Sequence, residues 1–373
     1  MKTFAIHPTI QEYDSFKEFA AEVNLGKSDL ILANDTIYKT FVEPLGLSCF
    51  LISPKKYGVG EPTDAMIDAV RRELPEGIER IIAIGGGTVI DIAKVLMLDS
   101  QGSTEDIFMG RCEAHKARSL IAVPTTCGTG TEVTNVSVTA LVRLNTKKGL
   151  ALDDMFPDFA VLIPELIQNL PYRFFATSSV DAMVHSVESF LSPKASAYSQ
   201  MYSVQAIDLI TRCYRKVVFE GQETWVRHSA DFLRASNYGG IAFGNAGCAA
   251  VHALSYPLSG KYHIAHGEAN LLMFEGVIRK YLELQPEGGI QDLEVVLARA
   301  FETESTAGIW DQFFALLNQI FERRPLSSYG VQTDELEMFV DGVVEGQQRL
   351  LSNNYCELSK EDMIAIYRSC LDR

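Results

Sequence analysis

The sequence predicts an α/β N-terminal dinucleotide-binding domain with a largely parallel sheet, followed by an all-helical domain that binds a metal ion. Three observations lead there: short apolar runs alternating with helix-length polar stretches up to about residue 165, a triple-glycine turn between one run and a helix, and an Asp-x3-His pair with two later histidines where strand signals fade. The implied division is 1–165 for the nucleotide domain and 166–373 for the helical metal- and substrate-binding domain.

The runs at 30–33, 49–52, 81–84, 120–123 and 160–163 are short and apolar throughout, as strands buried on both faces of a parallel sheet are. After Leu170-Pro171-Tyr172 long helical patterns dominate, with no tandem repeat and no low-complexity linker. The active site is expected where the two domains meet, a frequent place for ligands.

The third run leads into Gly85-Gly86-Gly87-Thr88 and then a helix through Asp91 and Lys94. Residues without Cβ atoms adopt tight φ/ψ values and let backbone amides approach a phosphate, and the helix N-terminus adds unbonded N–H groups and a positive dipole end. Thr88 with Asp91 three residues on also has the form of a capping box, Asp standing where Glu or Gln is usual. The turn is neither the Gly-x-Gly-x-x-Gly fingerprint nor a Walker A loop. The fourth run ends in a hydroxyl-rich loop, Pro124-Thr125-Thr126-Cys127-Gly128-Thr129-Gly130. Two such loops after two strands fit one nucleotide site, since open α/β sheets bind ligands beyond the carboxyl ends of their strands.

In the second half, Asp181 and His185 stand four apart in a helical stretch, so carboxylate and imidazole share a face. His252 lies in the next small-residue helical stretch, and His266 stands where another helix begins. Three imidazoles and one carboxylate form a four-donor set for a divalent transition ion, leaving room for a substrate oxygen. Taken alone, Asp-x3-His also occurs in helices that bind nothing.

The 373 residues, 47% hydrophobic and 22% charged, suffice for a large core in two domains. A formal net charge of −15 and a pI near 5.0 argue against nucleic-acid or anionic-membrane partners, which require basic surfaces. Seven cysteines, an odd number without a Cys-x-x-Cys pair, suit reduced thiols and a cytoplasmic location. There is no apolar signal core at the start and no 18-residue apolar span, so neither secretion nor membrane insertion is expected.

Together these motifs resemble the iron-dependent (group III) alcohol dehydrogenase family, in order and approximate spacing over nearly the whole chain. Within it, the stretches 124–138, 251–257 and 345–355 resemble members acting on 4-hydroxybutyrate. The resemblance implies that Asp181, His185, His252 and His266 hold Fe²⁺, with Zn²⁺ the alternative. It assigns Gly85, Gly86, Gly87, Thr88 and the adjoining Asp91 to the pyrophosphate side of NAD, and Thr125, Thr126 and Thr129 to the nucleoside and nicotinamide. Lys147 or Lys148 corresponds to the family lysine near the nicotinamide ribose, with Lys148 preferred. It further implies a small-molecule substrate and a homodimer.

Two positions depart from the family pattern. Tyr256 stands where many members carry a histidine discussed as a proton relay; His263 could supply the missing imidazole or be an ordinary loop residue. Asn34 occupies the strand end where NAD-preferring members often carry Asp, keeping an acceptor but losing the charge that repels a 2′-phosphate, although Asp35 is adjacent. By the same resemblance Arg349 falls near a pocket-lining position, where its guanidinium could clamp a terminal carboxylate, or it is a solvated arginine near a helix end. Such a clamp favours succinate semialdehyde and 4-hydroxybutyrate over the alternatives, a lactaldehyde or 1,3-propanediol type of activity in the same family, or a lyase like dehydroquinate synthase.

Overall fold

The computed structural model describes residues 2–372 and divides the chain into two compact units, Ile6–Asn169 and a second that begins at Leu170 and takes in the residues before Ile6.

The first unit is the expected α/β domain. Besides a two-residue antiparallel pair, Leu98–Asp99 with His115–Lys116, its strands are Thr9–Glu12 (β1), Asp29–Ala33 (β2), Phe50–Ile52 (β3), Arg80–Gly85 (β4), Ser119–Pro124 (β5), Val136–Leu141 (β6), Thr146–Ala151 (β7) and Phe159–Leu162 (β8). Six of them form one wholly parallel sheet in the order β1-β8-β5-β4-β2-β3, and β6 and β7 form a separate antiparallel hairpin. Alternate residues of the central strands feed two cores, as the pleat requires. Leu30, Leu32, Ile81, Ala83 and Leu120 face helices Asp64–Arg72 and Gly87–Leu96, whereas Ile31, Ile82, Ile84 and Ile121 face helix Phe16–Val23. These three helices are α1 (Phe16–Val23), α2 (Asp64–Arg72) and α3 (Gly87–Leu96).

Strand register decides where the loops lie. Ala33 pairs with Ile84, Ile84 with Val123 and Gly85 with Pro124, so β2, β4 and β5 end level with one another. Asn34, the glycine turn and the threonine loop therefore leave the sheet side by side at its carboxyl edge.

The second unit contains no strand among the described residues. Its relevant helices are α4 (Tyr172–Leu191), α5 (Ala197–Glu220), α6 (Ser229–Ala246), α7 (Ala250–Tyr262) and α8 (His266–Leu284). Helix α4 is buried almost all round from Phe175 to Leu191, which marks it as the centre of the bundle. Gly239 lets α6 approach it closely: a Cβ there would lie 2.9 Å from Ser186 Oγ. Among the described residues no helix is long and apolar enough to cross a membrane, and no disulfide joins the cysteines.

Candidate metal centre and nucleotide loops

Asp181 and His185 lie on one face of α4, His252 in the first turn of α7, and His266 at the first residue of α8. All four converge. The Nε2 atoms of His185, His252 and His266 lie 3.9, 3.6 and 3.7 Å from the single oxygen Asp181 Oδ1. Bonds of about 2.1 Å at tetrahedral angles place donors roughly 3.4 Å apart; the donor atoms of Asp181, His252 and His266 all lie within 4.8 Å of one another and His185 joins them through Asp181 Oδ1, so the set fits a divalent ion once the rings draw inward. The donor chemistry fits as well, and one further observation points the same way. The amide nitrogen of Asn270 sits among the donors, 2.8 Å from Asp181 Oδ1, 3.2 Å from His252 Nε2 and 3.3 Å from His266 Nε2, while its Oδ1 is buried without a partner.

Burial opposes the charge of Asp181, but the imidazoles of His185, His266 and His252 outweigh it and hold the carboxyl well below the ordinary carboxylate range. Three ligand side chains are 4–7% exposed, whereas His266 is 35% exposed and forms the open side.

The surrounding residues fix these orientations. Glu188, buried in α4 one turn beyond His185, accepts the backbone N–H groups of Ala249 and Val251 at 3.0 and 2.6 Å and lies 2.6 Å from His252 Nδ1. The pairing holds His252 in the tautomer that turns an unprotonated Nε2 to the centre. His185 stacks on Phe243 at 4.2 Å. Gly267 permits α8 to start against α4, because a Cβ there would lie 2.2 Å from the Thr177 carbonyl oxygen. Arg173, Tyr329 and Arg324 converge on buried Glu268 at the same helix start. Cys248 brings a thiol within 4.8 Å of donor atoms of His185 and His252. Sequence reasoning missed Glu188, Asn270 and Gly267. Glu188 had a signal, since Asp181, His185 and Glu188 follow i, i+4, i+7 and are the only Asp, Glu or His residues on their helix.

Tyr256 lies 6.2 Å, ring to ring, from His266, and burial raises its phenol pKa against the opposing effects of His252 and Arg349. The phenol therefore stays protonated near neutrality. Arg349, exposed on the short helix Gln348–Leu351, is close enough for its charge to act on Tyr256. Asn353 ties that helix to the start of α7, donating to the carbonyls of Cys248 at 2.8 Å and Arg349 at 3.2 Å. His263 is not gathered with the metal donors: it is the exposed C-cap of α7, with φ 53°.

In the α/β unit, Gly86 caps α3 with no side-chain hydrogen bond to the N–H groups of its first turn, and Val89 N turns back to Gly86 O at 3.1 Å. The capping-box expectation is overturned. Thr88 Oγ1 donates instead to Gly60 O at 2.9 Å, and Asp91 accepts from Thr131 Oγ1 at 2.7 Å and Val138 N at 3.0 Å. The expected tight φ/ψ values are also corrected: none of the three glycines has a positive φ. What they provide is space, since Cβ atoms at 85, 86 and 87 would meet Val89 at 2.5 Å, Thr126 at 3.3 Å and Thr129 at 3.1 Å. The glycine turn and threonine loop thus pack directly together, with Thr125 N bonded to Gly85 O at 3.0 Å. Beneath them Lys94, fully buried, donates to Thr131 Oγ1 at 2.7 Å, Thr134 Oγ1 at 3.0 Å and Val136 O at 2.7 Å. Burial brings its pKa down to about 8, against the pull of Asp91 and Glu132.

The two hairpin lysines point to opposite faces, as neighbours on a strand do. Lys147 pairs with Glu61, next to the Gly60 carbonyl that holds Thr88. Lys148 approaches Met109 Sδ at 3.7 Å and borders a different cavity of about 460 Å³ with Cys112 and His115. Asn34 and Asp35 are exposed at the end of β2, level with the glycine turn.

A parallel sheet with a glycine turn beside a threonine loop, in one chain with an Asp-His₃ centre in a helical bundle, defines a metal-dependent dehydrogenase architecture. Residues 8–164 match the family described as iron-containing alcohol dehydrogenase, and residues 175–371 match the Fe-containing alcohol dehydrogenase family, C-terminal. The chain belongs to the iron-containing alcohol dehydrogenase family. It is 46% identical over 369 residues to 4-hydroxybutyrate dehydrogenase of Clostridium kluyveri, covering 99% of each chain. It is also 34% identical over 297 residues to long-chain-alcohol dehydrogenase 1 of Geobacillus thermodenitrificans, covering 78% of this chain and 74% of that one. In fold it matches sulfoacetaldehyde reductase from Bifidobacterium kashiwanohense in complex with NAD⁺, with a TM-score of 0.85 at 22% identity and 99% and 98% of the chains covered. A 1,3-propanediol oxidoreductase gives 0.84 at 20% identity with both chains fully covered.

Proposed function

We propose that this chain interconverts succinate semialdehyde and 4-hydroxybutyrate by hydride exchange with NAD(H) at a centre held by Asp181, His185, His252 and His266. The observation that carries this reading is the meeting of the three Nε2 atoms and Asp181 Oδ1, in a chain 46% identical to a 4-hydroxybutyrate dehydrogenase. When bound, Fe²⁺, or Zn²⁺ as the alternative, would polarise the aldehyde oxygen or acidify the alcohol, while the nicotinamide exchanges the hydride.

The protein's own groups position and shield. The first-turn amides of α3 receive the pyrophosphate and Thr125, Thr126 and Thr129 the nucleoside and nicotinamide side, supported by the contact between their loops. Lys147, rather than the Lys148 preferred from sequence, is assigned the nicotinamide ribose because of its place beside Glu61 and the Gly60–Thr88 bond. Asp91 and Lys94 act from below, holding the threonine loop. Asp35 maintains the negative charge that disfavours a 2′-phosphate; Asp35→Ala should narrow the ratio of kcat/KM for NADH over NADPH, and an unchanged ratio would remove the assignment. Tyr256 remains a protonated donor beside the substrate, and Arg349 binds its carboxylate, supported by the nearness of the two residues. That clamp favours the semialdehyde acid over the neutral aldehydes and diols handled elsewhere in the family. The cysteine pattern suits the cytoplasm, and a homodimer is the assembly to test by light scattering.

The test is anaerobic NADH oxidation by chelator-stripped protein with succinate semialdehyde, adding Fe²⁺ or Zn²⁺ in separate runs. Metal-dependent turnover lost in His266→Ala is expected. Turnover with neutral aldehydes but none with the acid would leave the dehydrogenase and overturn its substrate.

A further inference from the structure

A second set of metal-type donors, sharing no residue with the Asp181 centre, gathers where α5, the following segment Gln222–His228 and α6 meet. Cys213 of α5, His228 at the end of the connecting segment and Asp231 in the first turn of α6 each present a donor atom, all within 4.8 Å of one another. Cys213 is 2% exposed, and His228 and Asp231 border it from the surface side. The His228 ring keeps Nε2 buried with no hydrogen-bond partner. Such an orphaned nitrogen costs free energy, and a bound ion or water is its ordinary explanation. The cationic groups near the cluster are Arg234, whose Nη1 is 3.5 Å from Asp231 Oδ1, and Lys216, whose charge acts on Cys213. Arg234 therefore shares the Asp231 carboxylate with any ion bound there.

Sulfur, imidazole and carboxylate together form a borderline-soft set, which favours Zn²⁺ over the hard cations, and three protein ligands with one water complete its tetrahedral shell. We propose that Cys213, His228 and Asp231 form a second divalent-cation site, thiolate-containing and suited to Zn²⁺, that staples α5 to α6. Binding replaces the Cys213 S–H bond with a sulfur–metal bond and releases the proton to solvent, with no change of oxidation state. An ion that binds only the folded chain also stabilises it.

The test uses the full chain, stripped with chelator and titrated with Co²⁺ and, separately, Zn²⁺, following ions bound per chain and sulfur-to-cobalt charge-transfer absorption. Two ions per chain are expected in the wild type, with an absorption that Cys213→Ser and His228→Ala abolish and Cys248→Ser, beside the other centre, preserves. Both Cys213→Ser and His228→Ala should still bind one ion and keep dehydrogenase activity, so this inference and the catalytic reading fail separately. One ion per chain in the wild type without the sulfur-to-cobalt absorption overturns the proposal before any variant is made. An absorption that survives Cys213→Ser and vanishes in Cys248→Ser overturns it too.

Discussion

The Glu188 carboxylate lies 2.6 Å from Nδ1 of His252 across the packing of α4 on α7, and the same carboxylate accepts two backbone N–H groups at the start of α7. One buried anion therefore places both a ligand ring and the helix that carries it. Carboxylate partners of metal-binding histidines typically contribute 10–100-fold in metal affinity or activity. Glu188→Ala should weaken metal retention by about that factor, read by competition with a chromophoric chelator, with Glu188→Gln restoring part of it. Equal affinity in all three proteins would reduce Glu188 to a packing residue.

Gly267→Ala is expected to disturb the centre without touching a ligand. The new methyl would lie 2.2 Å from the Thr177 carbonyl oxygen, so α8 must move away from α4 and carry His266 with it. Overpacking of this kind costs about 1–3 kcal/mol. Both a lower melting temperature and a lower metal content should follow, and a variant with wild-type metal content would show that α8 can adjust freely.

Lys94 links stability to alkaline pH. Its folded pKa, about 8, lies below the unfolded value of about 10.4, so between them the unfolded chain holds a proton that the native chain lacks. Unfolding free energy should therefore rise with pH across that window, with a slope of up to about 1.4 kcal/mol per pH unit from this group. Denaturant unfolding from pH 7.5 to 10.5 should show a more positive pH slope in the wild type than in Lys94→Met, the difference reporting this group against the Cys49 and Cys213 thiols, whose raised pKa values act the other way.

Arg349→Ala should raise KM for succinate semialdehyde with a smaller effect on a neutral aldehyde of similar size. Loss of a charge-assisted pair is worth about 1.5–3 kcal/mol, which corresponds to roughly 10–150-fold. An unchanged KM for the acid would leave Arg349 a solvated surface residue.

Lys147→Ala should raise KM for NADH, whereas Lys148→Ala should leave it near the wild-type value. Steady-state titration of NADH at saturating aldehyde separates them. The reverse result would restore the preference drawn from sequence.

What the sequence made legible follows the range of the interactions involved. The apolar runs became β2, β4, β5 and β8 because burial on both faces writes itself into consecutive residues, whereas β3, also an apolar run, is an edge strand with Phe50 and Leu51 exposed. Strand β1 left no such mark: Thr9–Glu12 is an edge strand with a mostly exposed pattern and one aliphatic residue. The metal quartet was visible as residue types at helical spacing and through family likeness. Glu188 was not singled out, because its partner is 64 positions away and only the packing of two helices joins them. The glycine turn was found for one reason and kept for another: its residues make room for Val89, Thr126 and Thr129, which only tertiary structure reveals.

The uneven exposure of the four ligands sets an order of events. Asp181, His185 and His252 belong to the packed interior, while His266 stands at the first residue of its helix with a third of its side chain open to solvent. An ion entering or leaving this centre would meet His266 first, so the lifetime of a loaded state would depend on how often one ring swings aside, and substitutions along the start of α8 should act on exchange rates as well as on affinity.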